Sequence, residues 1–80
     1  LVISFPPDRS EIETMDVDDT GLVLKAEGGA LPLTWLIDGA PIGSDPHARE
    51  VTWQPSGPGF AKLTVIDAQG RVDRASIRVK

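Results

Sequence analysis

The 80-residue sequence contains no cysteine, a single histidine and no long apolar run. Without cysteine, the chain cannot form a disulfide, a thiolate zinc site or a cysteine nucleophile. No apolar segment approaches the ~18 residues that a membrane-spanning helix needs, so we expect no membrane insertion by this chain. A chain of this length makes one domain, and we expect residues 1–80 to fold as a single unit.

The net charge is −4, but the two signs are separated along the chain. Residues 1–20 hold six acids and one arginine, whereas the last ten residues hold four basic side chains and one aspartate. An acidic domain is repelled by phosphates, so we expect no nucleic-acid partner. Arg74, Arg78 and Lys80 share one phase of strand alternation and predict a solvated strand face, with anion binding as the alternative.

What the sequence does contain is a series of short alternating strands separated by glycine and proline. The predicted strands are residues 1–5, 22–27, 33–37, 41–43, 49–54, 61–67 and 72–79. Turn signals at this spacing along about seven strands are typical of a β-sandwich, and Trp35, in phase with its apolar neighbours, suits an immunoglobulin-like core. We therefore predict an all-β, immunoglobulin-like antiparallel sandwich.

The sequence predicts two turns, and the secondary structure of one segment is ambiguous. Asp38-Gly39 favours positive φ between two strands, and an Asp-x-x-Gly turn at residues 67–70 closes the last hairpin. Ser10 to Glu13 matches a helix capping box, but no apolar periodicity extends it. We expect residues 8–20 to be mostly loop, with a short strand at Ile12 as an alternative.

The strongest metal candidate is the acidic loop ahead of residue 22. Asp16, Asp18 and Thr20 match positions 1, 3 and 5 of a calcium-binding loop, followed by Gly21 at position 6 and Glu27 at position 12. The segment that ends at Glu27 has strand periodicity, however, which places Glu27 about 20 Å from Asp16, too far to share an ion. We expect a solvated acidic loop and no metal or other cofactor.

Arrangements typical of catalytic sites are missing. Ser44, Asp45 and His47 lie too close in sequence to form a catalytic triad. Gly28-Gly29 lacks the lysine and the helix of a phosphate-binding loop. The acids lie mainly in one loop, and a small sandwich has little room for the cleft that paired carboxylates need. We expect no catalytic residue, and we expect His47 to be exposed in a loop.

Two aromatic residues are candidates for a binding surface. Trp53 and Phe60 flank the Gly- and Pro-rich loop at residues 54–59, and exposed rings there could stack on a sugar or contact a protein. Trp53 is in phase with Val51, which favours core packing. Phe60 is out of phase with the apolar positions that follow it, and we expect it to plug the end of the sandwich or cover a sheet corner, with binding as the alternative.

Several segments, in order and at matching spacing, resemble the C-terminal domain of the type 1C penicillin-binding proteins, the bifunctional bacterial peptidoglycan synthases. The matching segments are Pro6-Pro7-Asp8, Leu24-Lys25-Ala26-Glu27-Gly28-Gly29, Pro32-Leu33-Thr34-Trp35-Leu36-Ile37-Asp38-Gly39, Trp53-Gln54-Pro55 and the hairpin from Pro58 to Arg71. The sequence departs from the family at Arg9, where glycine is usual, at Phe60, where tyrosine is common, and in the acidic loop at 16–19.

The resemblance implies a periplasmic accessory domain of an inner-membrane-anchored glycosyltransferase and transpeptidase. In that family both activities belong to upstream domains, and the Ser-x-x-Lys nucleophile motif does not occur here. It implies no catalytic residue in this chain, and a contact with either the upstream transpeptidase domain or a periplasmic protein. Because the chain begins with Leu1, we expect it to be a fragment of a longer protein.

Three functions remain open at this point. The chain can be a non-catalytic interaction module of a cell-wall synthase. It can be a carbohydrate-binding module that binds peptidoglycan strands, which requires an exposed aromatic ring at Trp53 or Phe60. It can also be a calcium-dependent, adhesion-type sandwich. Of these, we expect the interaction module.

Overall fold

The computed structural model describes residues 1–13, 21–42, 47–55 and 57–80. These residues form eight β-strands and no helix, as the alternating sequence predicts. The strands are β1 (Val2–Phe5), β2 (Ser10–Ile12), β3 (Leu22–Glu27), β4 (Thr34–Ile37), β5 (Ala40–Pro41), β6 (Glu50–Trp53), β7 (Gly59–Ile66) and β8 (Val72–Val79).

The strands form two sheets that pack as a sandwich. One sheet has three strands in the order β1-β3-β6, and the other has five in the order β2-β8-β7-β4-β5. All pairs are antiparallel except β2 with β8, which is parallel. This arrangement confirms the predicted antiparallel sandwich.

The core is built from one face of each long strand, because successive side chains of a strand point to opposite sides. On β3, Leu22, Leu24 and Ala26 are buried while Lys25 and Glu27 are exposed. The same alternation runs through β4 and β8, and through β7 except at Thr64, which is buried as well. The buried apolar residues are Ile3, Leu22, Leu24, Ala26, Leu33, Trp35, Ile37, Val51, Ala61, Leu63, Val65, Ala75, Ile77 and Val79.

Trp35 is the largest fully buried side chain and is 1% exposed. It lies on β4 opposite Val65 of the central strand β7, so its ring fills the space between the sheets from an inner strand of the five-stranded sheet. The indole Nε1–H is shielded from solvent and has no hydrogen-bond partner among the described residues. Packing, not hydrogen bonding, therefore holds this ring in place.

The two predicted turns both form. Asp38 and Gly39 have φ angles of 51° and 85°, and they connect β4 to β5. In the β7–β8 turn, Asp67 Oδ1 accepts hydrogen bonds from the N–H groups of Gln69 (2.9 Å) and Arg71 (2.8 Å). The carboxylate thus accepts hydrogen bonds from N–H groups that find no backbone acceptor in a tight turn.

Strand β2 differs from the sequence prediction, which had a loop over residues 8–20 and permitted a helical turn at Ser10. The Arg9 N–H donates to the Ser76 carbonyl (2.6 Å), and the Lys80 N–H donates to the Ile12 carbonyl (2.8 Å). These bonds extend the segment alongside β8, where a helical turn could not form them. The alternative of a short strand at Ile12 is therefore correct, and the strand count rises from seven to eight among the described residues.

Candidate functional site

Phe60 is the most exposed large apolar side chain among the described residues, at 80%. It lies near the start of β7, where the neighbouring Ala61 points into the core and Phe60 therefore points outward. The prediction that Phe60 plugs the end of the sandwich is wrong. Exposure of a whole aromatic ring contributes nothing to the core and is typical of a contact surface.

Arg78 lies across from Phe60 on the neighbouring strand β8. Its guanidinium carbon is 5.7 Å from the centre of the Phe60 ring, which is the geometry of a cation–π contact. At an exposed site such a contact contributes about 0.5–1 kcal/mol. It orients the arginine and the ring together on the outer face of the five-stranded sheet.

A shallow groove of about 210 Å³ runs beside this pair. It lies between β2 on one side and the β7–β8 hairpin on the other. We call it the Phe60 groove; its lining residues are Arg9, Ser10, Glu11, Phe60, Ser76, Ile77 and Arg78. The groove therefore combines an exposed ring with two guanidinium groups, one exposed hydroxyl and the carboxylate of Glu11.

The charge in the Phe60 groove is positive although the chain as a whole is acidic. Within the described part of the chain, neither Arg9 nor Arg78 has a carboxylate within ion-pair distance. The acid of the groove, Glu11, is paired with Lys80 at 2.6 Å. The hydrogen bond from Lys80 and its charge, with a smaller contribution from Arg78, lower the pKa of Glu11 despite partial desolvation.

Arg9 has a left-handed backbone, with φ at 62°. Two hydrogen bonds fix this conformation against β8: the Arg9 N–H donates to the Ser76 carbonyl, and the Ser76 N–H donates to Asp8 Oδ1 at 2.8 Å. For a residue with a Cβ atom this conformation costs about 1–2 kcal/mol, which glycine avoids. A strained arginine therefore lies at the edge of the groove.

Trp53, the second predicted candidate, is half-buried and packs against the core. The structure nevertheless brings it near Phe60, because both line a second, smaller groove of about 110 Å³ at the end of the sandwich. Asp38 and the loop at 57–59 complete this groove. Phe60 thus lies between two grooves, with Trp53 on one side and Arg78 on the other.

The calcium candidates Asp16, Asp18 and Thr20 lie outside the described residues. Glu27, which the calcium pattern needs, is at the far end of β3, so the extended geometry that argued against a shared ion is present. A Cβ at Gly21 would lie 2.8 Å from the Trp53 carbonyl oxygen, and Gly21 has φ at 97°. Packing against β6 therefore explains this glycine without a metal.

Within the described ranges, no group of three or more histidine, aspartate or glutamate residues is close enough to hold a metal ion. His47 is exposed, as predicted, whereas Ser44 and Asp45 lie outside the described residues. No helix in the described part of the chain has the length and apolar character to cross a membrane.

Sequence reasoning missed Arg9 and Ser76 as members of a site, and it named Arg78 only within a basic strand face, with anion binding as the alternative and no link to Phe60. The signal was present for Arg78, because counting outward from the turn at residues 67–70 pairs residue 78 with residue 60. Arg9 could not be placed in this way. Its position depends on the pairing of β2 with β8, which joins residues far apart in sequence.

Comparisons with known proteins agree with this fold. No curated protein sequence matches the chain. Among solved structures, the fibronectin(III)-like modules of Clostridium thermocellum CbhA have a similar fold, with a TM-score of 0.64 and 20% sequence identity, covering 99% of this chain and 92% of that chain. At this identity the likeness concerns the fold alone.

The Penicillin-Binding Protein C-terminus Family matches residues 1–79. The chain therefore belongs to the penicillin-binding protein C-terminus family.

Proposed function

We propose that this chain is a non-catalytic interaction module that positions a bifunctional peptidoglycan synthase during cell-wall assembly. Its family supports an accessory role beside the catalytic domains of penicillin-binding proteins. The observation that carries the proposal is the exposed ring of Phe60, held next to Arg78 on the β7–β8 hairpin. Phenylalanine and arginine side chains of this kind are enriched at the centres of protein interfaces.

The parent polypeptide is, on this proposal, a glycosyltransferase and transpeptidase anchored in the inner membrane, with this module in the periplasm. The partner is either the upstream transpeptidase domain of the same polypeptide or a periplasmic protein. The β7–β8 hairpin is suited to such a contact because eight residues of each strand are paired along their whole length. A rigid surface loses little conformational entropy when it binds.

Direct binding to the purified transpeptidase domain tests this function, using calorimetry and the whole 80-residue chain. We expect Phe60→Ala to weaken the complex by about tenfold or more, since a central aromatic residue of an interface contributes at least this much. Phe5→Ala is the matched control, because Phe5 is a partly exposed phenylalanine on the opposite sheet. Equal losses from both variants would contradict the proposed surface.

A covalent labelling experiment tests the non-catalytic part. We expect fluorescent penicillin to leave the chain unlabelled, because the sequence has no Ser-x-x-Lys motif. The transpeptidase domain of the parent serves as the positive control. Stoichiometric labelling of this chain would contradict the proposal.

Binding of glycan strands is a second candidate, and one observation favours it. It requires an exposed aromatic ring, and Phe60 provides one at 80% exposure. Burial of both Trp53 and Phe60 would have excluded this function. Trp53 is partly buried, but Phe60 is exposed. The two candidates use the same residue, so binding experiments with different ligands distinguish them.

A further inference from the structure

We propose that the Phe60 groove binds a sugar of a glycan strand together with a carboxylate of the substituent that this sugar carries. In this site the Phe60 ring stacks on the sugar, and Arg9 and Arg78 bind the carboxylate of the substituent. The polymer is identified as peptidoglycan only through the proposed function. The site itself is argued from the shape, the charge and the backbone strain of the groove.

The size of the groove favours a single ring. Its volume of about 210 Å³ lies below the roughly 300–1,000 Å³ of pockets that enclose whole drug-sized ligands. The groove is shallow and lies on the outer face of a sheet, where a polymer can pass across it. One sugar unit can therefore enter while its neighbours continue along the surface.

The aromatic side of the groove suits a sugar ring. Arg78 lies over the Phe60 ring at 5.7 Å, and the side chain as a whole remains 80% exposed. Apolar C–H groups on one face of a sugar can pack against such a ring, while its hydroxyls remain available for hydrogen bonds. Ser76, whose side chain is exposed, lines the same groove.

The charge of the groove selects an anion. Arg9 and Arg78 are free of ion pairs to any described residue, and Lys80 neutralises Glu11. Guanidinium groups bind carboxylates through paired, charge-assisted hydrogen bonds. On a chain of net charge −4, this concentration of positive charge gives an anionic sugar a local site on a surface that otherwise repels it.

The backbone of Arg9 supports a binding role over a structural one. Its side chain forms no hydrogen bond or ion pair with the described residues, yet its φ of 62° is one that glycine adopts without strain. Strained conformations of this kind concentrate at functional sites. Hydrogen bonds to β8 fix the strained backbone, but they do not require an arginine side chain, and a ligand in the groove would give the guanidinium the partner that the described residues do not.

Co-sedimentation of the 80-residue chain with purified peptidoglycan sacculi tests the proposal. Soluble muropeptides, which carry carboxylates, compete in one arm, and uncharged N-acetylglucosamine oligomers compete in the other. We expect muropeptides to compete at least tenfold better, because the oligomers offer no carboxylate to the arginines. Equal competition would overturn the carboxylate assignment.

Three variants test the residues. We expect Phe60→Ala, Arg78→Ala and Arg9→Gly each to weaken sacculus binding by about tenfold. The matched controls are Phe5→Ala for the ring and Arg71→Ala for the charge, since Arg71 lies at the opposite end of the hairpin. Wild-type binding by all three site variants would overturn the site.

Arg9→Gly separates binding from folding. Since glycine relieves the left-handed strain, the melting temperature of the Arg9→Gly variant should equal or exceed that of the wild type, while its binding to sacculi falls. If binding and melting temperature fall together, the role of Arg9 is structural and the assignment fails. If the chain does not bind sacculi but does bind the transpeptidase domain, this inference fails while the proposed function stands.

Discussion

The carboxylate of Asp73 accepts a hydrogen bond from the backbone N–H of Ile3, with Oδ2 2.8 Å from the nitrogen. Asp73 belongs to β8 of the five-stranded sheet, and Ile3 belongs to β1 of the three-stranded sheet. A single side chain therefore joins the two layers of the sandwich by a bond that spans 70 residues of sequence. In a chain without disulfides, bonds of this kind fix how the sheets are aligned.

Replacing Asp73 should loosen this link. Asp73→Ala leaves the Ile3 N–H without its acceptor, and an unpaired, partly buried donor costs about 1–3 kcal/mol. We expect the melting temperature to fall by roughly 4–20 °C, on the scale for a domain of this size. Thermal unfolding followed by circular dichroism measures the change.

Asp73→Asn is the matched control, since its amide oxygen can accept the same hydrogen bond. It should retain most of the wild-type stability. If the alanine and asparagine variants melt at the same temperature, the hydrogen bond to Ile3 is not what Asp73 contributes.

The buried carboxylate of Asp67 predicts a loss of stability in acid. Burial by itself would raise the pKa of Asp67, but hydrogen bonds from the N–H groups of Arg71, Ala30 and Gln69, together with the charge of Arg71, hold it below its usual value. A lowered pKa in the folded state means that the carboxylate stabilises the fold above the unfolded pKa of about 3.9. That stabilisation is lost as the pH falls further.

Thermal melts of the wild type and Asp67→Asn across pH test this dependence. At pH 7 the variant should melt at a lower temperature, because its amide group presents N–H where Ala30 needs an acceptor. As the pH falls below the unfolded pKa, the difference should shrink because the wild-type carboxylate becomes protonated. A difference that is constant with pH would contradict this account.

Trp35 should tolerate loss of its nitrogen far better than loss of its ring. Its Nε1–H has no partner among the described residues, so Trp35→Phe removes no hydrogen bond and costs only the smaller volume, about 1–3 kcal/mol. Trp35→Ala costs about 3–5 kcal/mol, which approaches the whole stability of so small a domain. Urea denaturation should find the phenylalanine variant folded and the alanine variant largely unfolded.

Calcium should leave the stability of the chain unchanged. Glu27 ends the extended strand β3, five residues beyond Leu22 at its start, and Gly21 has a packing role beside Trp53. We expect the same melting temperature in calcium and in EDTA. Gly21→Ala should lower it by the same amount in both, whereas a calcium-dependent shift in the wild type would restore the adhesion-type alternative.

Periodicity alone predicted most of the fold. The alternation of Leu22, Leu24 and Ala26, and of Ala61, Leu63 and Val65, identified the inward faces because strand geometry has a strict period of two. Strand β2 was too short for any period to show. Its place depends on hydrogen bonds to β8, which no local pattern contains.

The candidate site was only half predictable. Phe60 was recognised as a candidate by its phase, but its exposure depends on what lies above the sheet, and sequence does not record that. Asp8 was expected only as part of a loop and Asp73 was assigned no role, yet both accept backbone hydrogen bonds, from partners 68 and 70 residues away. Such long-range caps are visible only once the strands are paired.

The position of β8 inside its sheet has a consequence for synthesis of the chain on the ribosome. Strands β2 and β7 both pair with β8, so neither can be completed before residues 72–79 have been translated. Until then the emerging polypeptide has open strand edges and cannot close its two layers, which exposes it to aggregation. Folding is therefore delayed to the end of translation of this domain and should proceed there in one cooperative step.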